Sequence, residues 1–142
     1  METPRATTDR PRDHAGMRLL SMDECEQLLG DHYVGRLAVI VDGRPKIFPM
    51  NYRYHDGVLV LRTGEGSKLR GLSSGTPVAF EIDGVDDTFR NGWSVIVEGR
   101  AEIVPHWEVE EEVRRRPLRP WVPGERDHWI RVRPAAVSGR VV

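Results

Sequence analysis

The chain has 142 residues, 39% of them hydrophobic, with 21 basic against 22 acidic side chains. This length suits one compact domain that buries roughly 70% of its unfolded surface without disulfides or metal, which excludes a multidomain machine. The balanced charge excludes an overall field for nucleic acid or an anionic membrane, the lone Cys25 has no disulfide partner, and no apolar run approaches the ~20 residues of a membrane span. A reduced, cytoplasmic setting is therefore expected. Residues 1–16 are polar and rich in Pro and Arg, without the apolar core of a signal peptide, and are expected to form a disordered tail ahead of one domain over 17–142.

In chain order, Ser21-Met22-Asp23-Glu24 is a capping box, and Met22, Cys25, Leu28 and Leu29 follow at helical spacing, so a short amphipathic helix ending at Gly30 is expected. Val34–Val41 is apolar and β-branched, Asp42-Gly43 is a two-residue hairpin signal, and Lys46–Tyr54 is a second strand in which Pro49 implies an edge or a bulge. Asp56-Gly57 turns the chain into a third strand, Val58–Thr63. Gly64 to Leu72 reads as a glycine-rich loop opening a short helix. Thr76–Asp83 is a fourth strand, and Gly92–Val104 should be the longest, with Gly99 placed to bend it. His106–Arg116 carries helix formers, and His128–Arg133 is a final strand before a tail beginning at Pro134. Consecutive hairpins and short strands, with 14 glycines and 10 prolines for the turns, specify a mainly β fold. The expected architecture is a six-stranded antiparallel split β-barrel with two or three short α-helices. A Rossmann fold is excluded by the lack of β-α-β alternation and of its glycine fingerprint.

No G-x-S-x-G elbow occurs, and Cys25 falls on the apolar helix face, where a buried inert thiol is expected. The five histidines lack metal-ligand spacing, so no metal is expected. Arg62-Thr63 ends a strand before Gly64-Glu65-Gly66-Ser67-Lys68, so a guanidinium, hydroxyls, an ammonium and backbone N–H groups could converge on one phosphate. An ordinary surface turn has the same composition. Pro49, Met50, Asn51 and Tyr52 lie on the strand that hairpins to Arg62 and suit a flat aromatic ligand as well as a core strand. Trp93 and Ser94 open a strand after a flexible loop, where the indole suits stacking, a partner surface or core packing.

The ordered blocks D-G-R-P (42–45), P-M-N-Y (49–52), R-T-G-E-G-S-K-L (62–69), V-A-F-E-I-D (78–83) and G-W-S-V (92–95) resemble the pyridoxamine 5'-phosphate oxidase-like, flavin-binding split-barrel family over roughly residues 18–140. The resemblance implies a homodimer with FMN in clefts between the subunits. It implies Arg62, Thr63, Ser67 and Lys68 as phosphate ligands and Pro49, Met50, Asn51 and Tyr52 as the strand lining the isoalloxazine ring. Trp93 and Ser94 would come from the opposite subunit. The cofactor carries the chemistry, so no catalytic acid or base is implied. No E-F-W-Q-like run or R-x-H end is present, the tail reading Arg131-Val132-Arg133-Pro134 and Ser138-Gly139-Arg140, so vitamin B6 oxidation is not expected.

The resemblance is closer to the small branch that includes nitroimidazole-resistance reductases, some relatives of which use a deazaflavin coenzyme. The expected function is that of an FMN-dependent oxidoreductase taking electrons from a small donor and acting on a small electrophile, nitroaromatic or quinone. The alternatives are a deazaflavin-dependent reductase of the same fold, a flavin protein for sensing or storage, and a non-enzymatic barrel. Arg114-Arg115-Arg116 and Trp121 suit the last through single-stranded nucleic acid, but Glu108, Glu110, Glu111 and Glu112 adjoin those arginines and favour a solvated charged face. Trp107, Trp121 and Trp129 suit closure of the cleft or padding of the dimer interface.

Overall fold

The structure is a computed structural model that describes Pro4 and residues 10–64, 72–85, 91–111, 113 and 127–141. Its elements run β1 (Arg18–Leu19), α1 (Met22–Asp31), β2 (Val34–Val41), β3 (Arg44–His55), β4 (Val58–Gly64), β5 (Pro77–Val85), β6 (Gly92–Val104), a 3-10 turn (His106–Glu108) and β7 (Asp127–Val141). Among the described residues six strands, in the order β7-β4-β3-β2-β5-β6, close on themselves through a β6–β7 pairing, and the two-residue β1 adds to β7. All pairings are antiparallel. The expected split barrel is the observed fold, with one α-helix among the described residues where two or three were expected.

Local chemistry accounts for the turns. Asp42-Gly43 and Asp56-Gly57 both hold two successive positive φ angles, 53° and 75° in the first and 48° and 73° in the second, as tight hairpins that follow the strand twist require. They set Val41 against Arg44 and His55 against Val58. β2 then alternates strictly, with Gly35, Leu37 and Val39 inward and Arg36, Ala38 and Ile40 outward.

Three expectations are corrected. The first helix does not stop at Gly30. It runs to Asp31, and His32 ends it by turning extended while its Nδ1 bonds the Leu28 carbonyl at 2.8 Å. The last strand is not short, and β6 is not the longest: β7 passes through Pro134 and reaches 15 residues. A bulge makes this possible, because the register shifts between Glu98, opposite Ala136, and Gly99, opposite Pro134. A Cβ on Gly99 would lie 2.6 Å from the Arg133 carbonyl oxygen, so only glycine fits beside the irregularity. Finally, residues 10–16 of the expected tail, the part described apart from Pro4, make contacts with the domain. Arg10 makes paired bonds of 2.5 and 2.6 Å to the Glu24 carboxylate, and Asp13 accepts from Arg140 at 2.6 Å. The helix expected after Gly64 and ending near Ser74-Gly75 falls mostly on 65–71, outside the described residues, while 72–75, where it should end, are irregular chain and a turn. The segment after Val104 begins with the 3-10 turn.

Two apolar clusters result. The barrel interior holds Leu37, Tyr52, Leu59, Leu61, Phe80, Ile82, Val95, Val97 and Ile130, and α1 lowers Cys25, Leu28 and Leu29 into it. A smaller cluster, Val60, Val104, Val109, Val113 and Trp129, lies on the outer side of β4, β6 and β7 beneath the segment around Val109 and Val113. No helix among the described residues is long and apolar enough to cross a membrane.

Candidate functional site

The barrel is split along β3. Residues 44–51 pair with β2, but β4 joins β3 only from Tyr52, opposite Leu61, to His55, opposite Val58. Over 44–51 the side of β3 away from β2 therefore has no ladder partner among the described residues. The turn makes Val41 and Arg44 a hydrogen-bonded pair, so Pro45, Ile47 and Pro49 direct their backbone polar groups away from β2 toward this open side. Proline lacks an N–H, which is why it is tolerated there. The edge thus presents carbonyls with the Ile47 N–H between two donorless positions, an arrangement that resists another strand yet accepts a flat ligand with its own donors and acceptors.

Arg62 stands where the split begins. Continuing the ladder by one step would bring it opposite Asn51, and on its other side it pairs with Trp129 of β7. Its guanidinium carbon lies over the indole, 5.3 Å from the centroid. Trp129 is only 4% exposed, packed in the outer cluster, so the platform is rigid. Arg53 lies on the same outward row of β3, opposite Val60. Its Nε is buried without a hydrogen-bond partner, an orphaned donor that an anion would satisfy. An open polar edge ending at two guanidinium groups fits a flat cofactor with an anionic tail. Thr63, opposite His128, continues β4 past Arg62, while Ser67 and Lys68 lie outside the described residues.

The other candidates divide by strand parity. Pro49 is exposed and Asn51 half-buried on the outer side, whereas Met50 and Tyr52 are buried in the barrel. Tyr52 is an anchor: its hydroxyl donates to the Leu29 carbonyl at 2.8 Å and its ring meets Phe80 edge-on, so the side chain ties β3 to α1. Burial raises its phenol well above the ordinary range. Trp93 is 5% exposed, tilted against His32 at 4.9 Å, and belongs to the core. Ser94, half-buried beside Asp83 and Arg140, is the outward-facing member of that pair. Cys25 is buried, which pushes its thiol up and leaves it a poor nucleophile.

Next to Pro49 across β2–β3, Arg36 bonds Glu81 and lies 2.9 Å from Asp83. Burial and a hydrogen bond with Asp83 raise the Glu81 carboxyl above its ordinary value, against the opposing pull of Arg36. Away from the split, His55, Asp56 and Glu110 converge, a cluster that sequence spacing does not reveal because Glu110 arrives from a distant segment. There His55 Nε2 meets Glu110 at 2.8 Å and Glu108 lies 3.9 Å from Arg131, so these two acids engage groups on the barrel. Arg114, Arg115, Arg116, Glu112 and Trp121 lie outside the described residues. Trp107 is exposed, and Trp129 serves as the platform for Arg62. Arg53 is the residue that motif reading misses as part of this site, and Trp129, expected to close the cleft or pad the dimer interface, lies under Arg62. The available signal for Arg53 was its shared parity with Asn51.

Known proteins agree with this architecture. A protein of Mycobacterium tuberculosis described as uncharacterised is 34% identical over 127 residues, 84% of this chain and 82% of its own. The solved structure of an FAD binding protein from Mycobacterium smegmatis superposes with a TM-score of 0.71 at 37% identity, covering 87% of this chain and 98% of that one. An FAD-binding protein from Mesorhizobium loti gives 0.66 at 30% identity, covering 89% and 98%. The model of the family described as pyridoxamine 5'-phosphate oxidase matches residues 21–141, so with its split barrel and open β3 edge the chain belongs to that family.

Proposed function

We propose that this protein is a flavin-dependent oxidoreductase that passes electrons from a small donor to a small electrophile of nitroaromatic or quinone type. The observation that carries the reading is the open edge of β3 ending at Arg62 on its Trp129 platform. The family and the FAD-binding relatives support a flavin, and the relatives at 37% and 30% identity favour FAD over the FMN or deazaflavin implied by the sequence motifs.

In this reading a bound flavin supplies two-electron transfer between donor and acceptor. The Pro45–Asn51 edge holds the ring through backbone groups, and the two prolines keep a competing strand off. Arg62, with Thr63, Ser67 and Lys68, holds phosphate, and Trp129 fixes the guanidinium before the ligand arrives. Met50 and Tyr52 act from inside the barrel, keeping the edge straight. The assembly is a homodimer. Ile40 and Ile47, 59% and 69% exposed on neighbouring strands, border a groove of about 550 Å³ that includes Ala38, Pro77 and Ala79, a surface suited to burial against a second copy.

The test is to load the protein with FAD, reduce it anaerobically with dithionite and mix it with a quinone or a nitroaromatic. The reading expects rapid reoxidation, with one quinone reduced to hydroquinone per flavin by two electrons and two protons. Reoxidation no faster than that of free reduced FAD would reject the oxidoreductase reading.

A further inference from the structure

The outer surface around the split carries several cations, and their neutralisation is uneven. Arg36 is held by Glu81 and Asp83, Arg131 by Glu102 at 2.9 Å, Arg133 by Glu102 at 3.2 Å, and His55 by Glu110. Arg53 differs. Its cross-strand neighbour is apolar Val60, its diagonal neighbour two residues along β4 is Arg62, and no carboxylate among the described residues pairs with it. Its Nε is buried and unbonded, as are those of Arg62 and Arg131, but unlike Arg131 it has no carboxylate among the described residues on the rest of its guanidinium. Two guanidinium groups placed diagonally across a ladder, about 7–8 Å apart at their backbones, repel each other. Leaving a buried donor unmet adds to that cost. Both penalties fall when an anion lies across the pair, and a diphosphate gives each guanidinium a phosphate of its own.

We propose that Arg53 binds the second phosphate of a dinucleotide flavin and is the residue by which this site prefers FAD to FMN. The inference rests on the flavin reading above. Arg62 belongs to the strand end that the sequence motif assigns to the first phosphate, and Arg53 lies beside it on the same face, one strand over. A guanidinium at this position offers forked donors that a single phosphate on Arg62 does not need. FMN leaves Arg53 without its anion, whereas FAD supplies one. Selectivity then comes from the unmet group as much as from the new contact.

The test is isothermal titration of the full chain with FAD, FMN and riboflavin, for the native protein and for Arg53→Met, Arg53→Lys and Arg62→Met. Arg53→Met should weaken FAD by about ten- to a hundredfold, the loss expected when a charged hydrogen bond is removed, and change FMN by less than about threefold. Arg53→Lys keeps the charge without the fork and should fall between, which guards against a folding defect in the methionine variant. Equal weakening of FAD and FMN, or no weakening of either, by both variants overturns the inference. Arg62→Met separates this from failure of the flavin reading: it should lower FMN affinity relative to riboflavin. If it does while the Arg53 variants leave the FAD-to-FMN ratio unchanged, only the role of Arg53 is rejected. If Arg62→Met leaves the FMN-to-riboflavin ratio unchanged, or the native chain binds none of the three, the flavin reading falls and the role of Arg53 with it.

Discussion

Arg62 and Trp129 sit opposite each other in the β4–β7 ladder, with the guanidinium carbon 5.3 Å from the centre of an indole that is almost wholly buried. The indole restricts the arginine before any ligand binds. A cation–π contact of this kind is worth about 0.5–2 kcal/mol. Trp129→Leu should therefore lower FMN affinity relative to riboflavin by about three- to thirtyfold, and Trp129→Phe by less, as measured by titration calorimetry. An equal loss for FMN and riboflavin would mean that the tryptophan only supports the outer cluster.

Tyr52 makes a different prediction, because its buried hydroxyl serves the fold. Tyr52→Phe removes the donor to the Leu29 carbonyl and leaves a buried acceptor unmet. The expected cost is about 1–3 kcal/mol in a denaturant titration, with flavin affinity nearly unchanged in the folded protein. A large loss of flavin affinity without loss of stability would place the hydroxyl at the ligand instead.

The clamp between Arg10 and Glu24 predicts a pH dependence. The Arg10 guanidinium pulls the Glu24 carboxyl down from 4.5 to about 2, against the effect of burial. A carboxylate whose folded value is depressed stabilises the fold fully above its unfolded value, and that stability is lost as pH falls toward the folded one. For a partly exposed pair the contribution is about 1 kcal/mol. Arg10→Met should lower stability by about that amount at pH 7, and thermal melts of the variant and the native chain should converge between pH 4.5 and pH 2. A constant difference down to pH 2 would show that packing, not charge, holds the segment.

Much of the barrel was legible because its turns demand particular residues. Asp42-Gly43 and Asp56-Gly57 declare their positive φ angles in the sequence, and they fix the β2–β3–β4 register from which the split edge follows. Gly92–Val104 was read with the bounds the structure gives it. β7 was cut short because Pro134 ordinarily ends a strand. The bulge opposite Gly99 that tolerates it depends on contact between strands far apart in sequence. The extra residue of α1 is hidden for a related reason, since the His32 side chain outweighs a glycine in setting where the helix stops.

At the candidate site, local pattern points to Arg62 and the β3 edge but not to which side each residue faces. Trp93 and Trp129 illustrate this, for both occupy strand ends and both are buried, one inside the barrel and one outside under Arg62. The pairing of β7 with β4 puts Trp129 opposite Arg62, and that of β6 with β5 puts Trp93 opposite Gly84, and neither is local in sequence. Arg53 was passed over because an isolated arginine in a strand reads as solvated. That Val60 and not a carboxylate stands opposite it is visible only from the register of β4.

The central claim is that the β3 edge and Arg62 form a flavin site, and its most direct test is the visible spectrum of the purified full chain titrated with FAD. The account predicts saturable, stoichiometric binding with a perturbed oxidised-flavin spectrum, weakened when Arg62 is replaced by methionine. A protein that leaves the spectrum of FAD unaltered and shows no saturable uptake of FAD, FMN or a deazaflavin would contradict it, leaving the barrel in place with a different purpose for its open edge.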